Sequence, residues 1–265
     1  MSNYKKVKNI FSLLSMIFLL FLLPNCAKED DKRVENMNFD ELKQKTLSAL
    51  ELKNDELAVE YLEQLVASNP DKQNISEYKL MLADLYFNVG NLPSSYQLYE
   101  HYKEFYPSDI KAEFATYRAI LSKFYQTLRF ECDQTDTHKT INLCEEYEKN
   151  LLYNQYRKDV IDIRNTCESK LIDKEVYVFN TYLKKGKKTG KFEAAKNRLK
   201  YLRDEYFSKN SAFEARLTFL ECKLAKAQNN ENLLKEKVEV LVSKYPNSTF
   251  TNRAQRLINK KDFFL

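Results

Sequence analysis

Apolar residues recur at helical spacing along most of the chain, and one stretch shows the pattern most clearly. Leu82, Ala83 and Tyr86 share one helical face, Gly90-Asn91 follows, and Ser95, Tyr99 and Tyr102 make a second face before Pro107. This spacing predicts a helix from about Ser76 to Asn88 and another from about Pro93 to Phe105. Gly90 suits the turn because it tolerates positive φ, and Pro93 suits a first helical turn. Pro107 cannot continue the helix. Ala83 and Ser95 are small enough to let the two backbones approach.

The phrase returns with variations. A helix from about Phe39 to Leu52 precedes one carrying Ala58, Leu62 and Leu65, which ends at Pro70. A less regular pair spans about Lys111 to Phe130 and Thr137 to Lys149. A helix from about Ser169 turns at Gly190-Lys191-Phe192 into one with Ala194, Ala195, Leu199 and Leu202. A last pair runs from Ala212 through Asn229-Asn230 to Tyr245-Pro246, and Thr251 to Lys261 reads as a capping helix. The units resemble tetratricopeptide repeats of about 34 residues, although their spacing drifts. The expected fold is therefore all-α, a solenoid of about five tetratricopeptide-type helical hairpins over residues 39–249. Each hairpin would bury its apolar face on the next. The first helices of the hairpins would line a groove suited to a partner's peptide.

Composition sharpens this picture. Three Gly and five Pro in 265 residues leave few tight turns for a sheet. The formal charge is +5, from 43 basic and 38 acidic residues. Three of the basic residues, Lys5, Lys6 and Lys8, precede an apolar run of 14 residues from Ile10 to Leu23. That run is shorter than the roughly 20 residues of a membrane-spanning helix. Basic start, short apolar run and Cys26 together read as an export signal. Without those lysines the balance is 40 against 38, which gives no nucleic-acid footprint. Leu23-Pro24-Asn25-Cys26 resembles a lipobox, at which diacylglycerol is attached to Cys and the chain is cut before it. The expected organisation is a signal peptide over 1–25, a tether over 26–38, and N-terminal and C-terminal hairpins over 39–152 and 153–265. Lipid on Cys26 would be the only added group, with no other cofactor.

Three further stretches carry a family resemblance. They are Phe105-Tyr106-Pro107-Ser108 with Ala115-Thr116-Tyr117-Arg118-Ala119, the Cys132–Thr137 turn with Asp133 and Asp136, and Tyr182–Gly186 followed by Phe192–Arg198. In this order, behind a lipobox, they resemble the BamD family, also called the competence lipoprotein ComL family. Lys187, Lys188 and Thr189 depart from it by lengthening the turn before Gly190, and Leu152–Tyr156 lacks the family's Pro. The resemblance implies a lipoprotein on the periplasmic face of the outer membrane. Its partners would be the barrel-forming subunit of the β-barrel assembly machine, accessory lipoproteins and unfolded outer-membrane proteins. It implies no bond chemistry. A second reading is another periplasmic repeat adaptor, for pilus assembly or envelope constriction.

Candidate residues follow. Leu80, Asp84 and Phe87 fall on one stripe of their helix and, with Lys123 on a later helix, are candidates for a client-peptide groove. Phe87 would seat an aromatic terminus, and Lys123 would neutralise its carboxylate. The resemblance places Arg198 at the interface with the complex. Five lysines between Lys184 and Lys191 read as a solvated loop. Cys132, Cys144, Cys167 and Cys222 allow three disulfide pairings, or are small apolar residues at helix contacts. His101 and His138 lack neighbours at metal-ligand spacing, and no nucleophile or phosphate-loop motif occurs, so neither a metal site nor an enzyme is expected.

Overall fold

The computed structural model describes residues 33–68, 74–206 and 211–259, so Cys26, the signal segment and the start of the tether lie outside the described residues. The chain forms two compact units, divided between residues 73 and 74. Among the described residues the secondary structure is helical, with eleven α-helices and a short 3-10 turn at Val34–Asn36.

The first unit contains one hairpin, α1 (Phe39–Glu51) and α2 (Asp55–Ser68). Asn38 starts it with a capping box. Its side chain accepts from the Glu41 amide at 2.9 Å, and Glu41 accepts from the Asn38 amide at 3.0 Å. Lys53 turns the chain with φ of 55°, and Asn54 accepts from the Leu57 amide at 3.1 Å to start α2. Leu42, Ala49, Ala58, Leu62 and Leu65 are buried between the helices.

The second unit stacks α3 (Ile75–Asn88), α4 (Leu92–Phe105), α5 (Ala112–Gln126) and α6 (Thr135–Lys149). Gly90, at φ 81°, makes the α3–α4 turn, and Asn91 caps α4. Ala83 and Ser95 are fully buried, as their small size predicts. Ser95 also meets Ser122 of α5 at 3.1 Å. Leu80, Ala83, Tyr99, Tyr102, Ala115 and Ala119 form the core of this part.

The largest departure from expectation comes next. Helix α7 runs from Arg157 to Thr189 without a break, 33 residues and roughly 50 Å at 1.5 Å per residue. It starts twelve residues before the expected Ser169. Val160, Ile163, Cys167 and Leu171 are already on its buried stripe, and neither Pro nor Gly interrupts the chain before Gly186. Its start is fixed without a proline. Arg157 donates to the carbonyls of Glu148, Asn150 and Tyr153 at 2.8–3.1 Å. Glu113 accepts from the Tyr147 hydroxyl at 2.5 Å and the Gln155 amide at 2.7 Å. Residues 152 and 153, where two halves were expected to meet, fall in this connection inside the second unit.

Lys187, Lys188 and Thr189 form the last turn of α7 rather than a lengthened loop, so four of the five clustered lysines are helical. Gly190 ends the helix with φ of 70°. Helix α8 (Glu193–Tyr206) then folds back. Gly186 lets it do so, because a Cβ there would lie 2.6 Å from the Phe192 ring and 2.9 Å from the Lys191 carbonyl. The unit closes with α9 (Ser211–Ala227), α10 (Glu231–Lys244) and the capping helix α11 (Thr249–Asn259). Among the described residues no helix is long and apolar enough to cross a membrane.

The four described cysteines are unpaired, with Cys132 exposed and Cys144, Cys167 and Cys222 buried. Cys144 and Cys167 share one core cluster, and Cys222 lies in another. Burial pushes the thiols of Cys144 and Cys222 up to about 12 and that of Cys167 to about 11.

Two predictions follow from this packing. Gly186→Ala should destabilise the second unit in urea unfolding, although Ala normally favours a helix interior over Gly by about 1 kcal/mol. Phe179→Ala, which empties a fully buried position, should cost about 3–5 kcal/mol in the same assay. For the thiols, mass-resolved alkylation of the native chain should label Cys132 well before Cys144, Cys167 and Cys222. Their folded values are raised, so their stabilising contribution is complete below the ordinary thiol value of 9.0 and is lost as pH rises from there toward 12. Alkaline unfolding in that window should shrink when Cys144 and Cys222 are replaced by Ala or Val.

Candidate interaction groove

The second unit presents the first helices of successive hairpins, α3, α5 and α7, with aromatic side chains left partly uncovered. Arg118 of α5 organises one end. Its guanidinium lies 3.7 Å over the Phe87 ring, pairs with Asp84 at 3.3 Å and donates from Nε to the Tyr99 hydroxyl at 3.0 Å. The Tyr99 hydroxyl in turn donates to Asp84. Burial first, then the bond to Asp84, raises the Tyr99 phenol well above its usual value, so it stays a neutral donor. Phe87 also meets Tyr125 at 5.8 Å between centroids. Arg118 and Tyr125 are seven residues apart, two helical turns, and therefore share one face.

The ledge continues past Leu128, which is largely exposed, to Phe130, whose ring packs 6.0 Å from that of Tyr177 on α7. Beside it opens a groove of about 690 Å³ lined by Arg129, Phe130, Asp162, Asn165, Ser169 and Lys170, among others. Lys170 donates to Thr127 at 2.6 Å and Lys174 to the Cys132 carbonyl at 3.3 Å, which pins the α5–α6 loop to α7. The acidic turn in that loop is held by its own bonds. Asp133 accepts from the Thr135 amide at 3.0 Å, and the Thr135 bonds hold its carboxyl below the usual range. Buried Gln134 donates to the carbonyls of Arg129 and Cys132 at 2.8 and 3.1 Å.

The residues singled out from sequence are thus divided. Asp84 and Phe87 come together on this ledge. Leu80 does not line it, because its side chain is only 5% exposed and belongs to the core with Tyr99 and Tyr102. Lys123 does not line it either. Five residues beyond Arg118, it points roughly 140° around α5. There it pairs with Asp136 at 3.0 Å and lies 4.8 Å from the Tyr96 ring centroid, so its charge is already met. Arg198 bridges α8 to α7 through Glu175 at 2.5 Å, with its side chain 32% exposed. Cys26 lies outside the described residues. The sequence reading missed Arg118, Tyr125, Phe130 and Tyr177 as groove residues. The seven-residue spacing of Arg118 and Tyr125 could have found that pair. Phe130 and Tyr177 meet only through tertiary packing.

Such a face can hold a polypeptide by stacking and hydrogen bonding. Among the described residues no three His, Cys, Asp or Glu side chains gather at metal-binding distance. The Arg118 cluster should show energetic coupling. In a double-mutant cycle of Asp84→Asn and Arg118→Met, urea unfolding should give a coupling of about 0.5–2 kcal/mol. Additive effects would mean that solvent screens the pair.

No curated protein matches the chain. Among solved structures, a candidate protein-binding protein from Bacteroides ovatus ATCC 8483 is 18% identical. The match covers 84% of this chain and 95% of that one, with a TM-score of 0.26. The model of the family YfiO, outer membrane lipoprotein, matches residues 35–237, a span from before α1 to the middle of α10. On that match across most of its length, this all-helical chain belongs to the YfiO family of outer membrane lipoproteins.

Proposed function

We propose that the protein is a lipid-anchored, non-catalytic scaffold of the β-barrel assembly machine, acting on the periplasmic face of the outer membrane. The lipid sits on Cys26 and leaves the helical hairpins in the periplasm. Several acyl chains at roughly 0.8 kcal/mol per buried methylene hold such an anchor in place. The C-terminal hairpins, residues 153–265, engage the barrel-forming subunit and accessory lipoproteins, with Arg198 at that contact. The N-terminal hairpins, residues 39–152, receive aromatic-ended segments of unfolded barrel proteins.

The family match over residues 35–237 is the observation that carries this reading. The ledge of Phe87, Arg118 and Tyr125 supplies physical means for capture. Aromatic rings and a guanidinium plane offer stacking surface to an aromatic residue, and they are already held in place by Asp84 and Tyr99. The exposed flank of Arg198 leaves donors for a partner's carboxylate beyond the one used on Glu175.

A mild-detergent pull-down of the tagged chain from native membranes tests the reading. A barrel-forming outer-membrane protein with periplasmic repeats should be recovered by mass spectrometry. Arg198→Glu should deplete it. Adding Glu175→Arg restores the internal pair, so the swap should recover thermal stability without recovering the partner. Recovery of both would make Arg198 an internal strut alone. Recovery of pilus or division proteins with no barrel subunit would sink the assembly reading. Cys26→Ser should move the chain from the membrane to the soluble fraction.

A further inference from the structure

Polar rungs join successive first helices on the groove face, and the one at Lys223, like that between Lys170 and Thr127, ends on a neutral acceptor. Arg216 of α9 reaches Asp173 of α7 at 2.6 Å. Seven residues on, Lys223 of α9 donates to Asn180 of α7, a neutral acceptor. Seven residues further along α7 stands Lys187, another cation, exposed on the same stripe. Arg253 of α11 completes the group. It lies 4.7 Å over Phe219, one turn before Lys223, and 5.6 Å from Phe250.

Three consecutive first-position helices, α7, α9 and α11, thus bring Lys187, Lys223 and Arg253 to one place. Among the described residues none of the three forms an ion pair with a carboxylate. Their neighbours do: Arg216 pairs with Asp173, Arg198 with Glu175, and Arg203 and Lys237 with Glu221. The sequence explains the difference. Residues 176–189 of α7 contain no Asp or Glu and four lysines, and α11 contains no acid and two arginines. Lys223 is half-buried, whereas Lys187 and Arg253 are exposed. Burial, then Arg253, then Lys187 hold its ammonium below the usual lysine value. Like charges drawn together with a desolvated member cost stability unless an anion joins them.

We propose that this cluster is a docking site for an acidic, aromatic-containing segment of a partner protein. A carboxylate sits between Lys187, Lys223 and Arg253, and an apolar side chain lies against the half-buried Phe250, which is backed by the core ring of Phe219 5.7 Å away. Charge complementarity selects the occupant: three cations with no carboxylate partner among the described residues take carboxylates, and the Phe250 ring beside Arg253 favours a peptide over a small anion. This rests on the reading of the chain as a scaffold and names a surface separate from Arg198.

The test uses the full chain in detergent and a fluorescein-labelled peptide alternating aspartate with phenylalanine. Saturable binding is expected, weakening with salt and falling roughly tenfold in Lys223→Gln/Arg253→Gln. The variant should keep its helical circular dichroism, and Lys158→Gln, at the opposite end of α7, should leave peptide affinity unchanged. Equal binding of the Asn-for-Asp peptide overturns the proposal, because the carboxylates would then do nothing. Binding of dihexanoyl-phosphatidylglycerol but not of the peptide overturns it in favour of a lipid headgroup. Peptide binding that arises only after residues 260–265 are deleted overturns it in favour of the chain's own Asp262-Phe263-Phe264. If the wild-type pull-down yields the barrel subunit while the peptide fails, this inference falls and the assembly reading stands. Peptide binding without the barrel subunit has the reverse meaning.

Discussion

Val160, Ile163, Cys167 and Leu171 on the first half of α7 are buried with Ile120, Ile141 and Tyr147 of α5 and α6. Val176, Phe179 and Leu183 on its second half are buried with residues of α8 and α9. One helix therefore belongs to two cores. Each buried aliphatic or aromatic side chain contributes about 1.5–3 kcal/mol, so neither half of α7 can leave its core cheaply. Continuous helical hydrogen bonding between the halves removes any hinge there. The groove lined by Asp162 to Asp173 and the cationic end at Lys187 lie on one stripe of this helix, and their separation is fixed by the helical rise.

The same constraint explains how the repeat drifts. The rung between Asp84 and Arg118 joins positions 34 residues apart, the spacing of the tetratricopeptide unit. The rungs Thr127–Lys170, Asp173–Arg216 and Asn180–Lys223 each span 43 residues. The extra length is absorbed by the longer helices and the loop at 127–134, while the side-chain contact between first helices is kept. The conserved quantity is the facing of helix on helix. The count of residues between them is free to grow, provided the added turns are buried.

That is also why some of the molecule was legible in the sequence and some was not. Gly90, Pro93, Pro107 and the small pair Ala83 and Ser95 mark their hairpin locally, and the helices fell within a few residues of expectation. The start of α7 carries no such mark. Its stop signal is replaced by Arg157 and Glu113, which close the preceding loop through contacts up to 43 residues away. The groove residues divided for a similar reason. Helical spacing placed Leu80, Asp84 and Phe87 on a common stripe, but a stripe has two edges. Leu80 lies on the edge that α4 and α5 cover. Lys123 looked like a free cation because Asp136, its partner, belongs to the next helix.

Charge pairing separates structural from available cations across the second unit. Where a first helix carries acids, as α7 does at Asp173 and Glu175, the next basic side chain is spent on them and reinforces the stack. Where the acids stop, after Glu175, the stack relies on apolar contacts and neutral hydrogen bonds: Phe179, Leu183 and Gly186 pack against α8, Asn180 accepts from Lys223, and α11 seats Ala254 against α9 and α10 while Thr251 donates to the Leu241 carbonyl. Those contacts leave Lys187, Lys223 and Arg253 without a carboxylate partner among the described residues. A solenoid built only for stability would place a carboxylate at Asn180 or on α11, since each would relieve Lys223. Keeping a neutral amide and an acid-free helix there leaves stability unclaimed, at a surface where a partner's carboxylate can recover it.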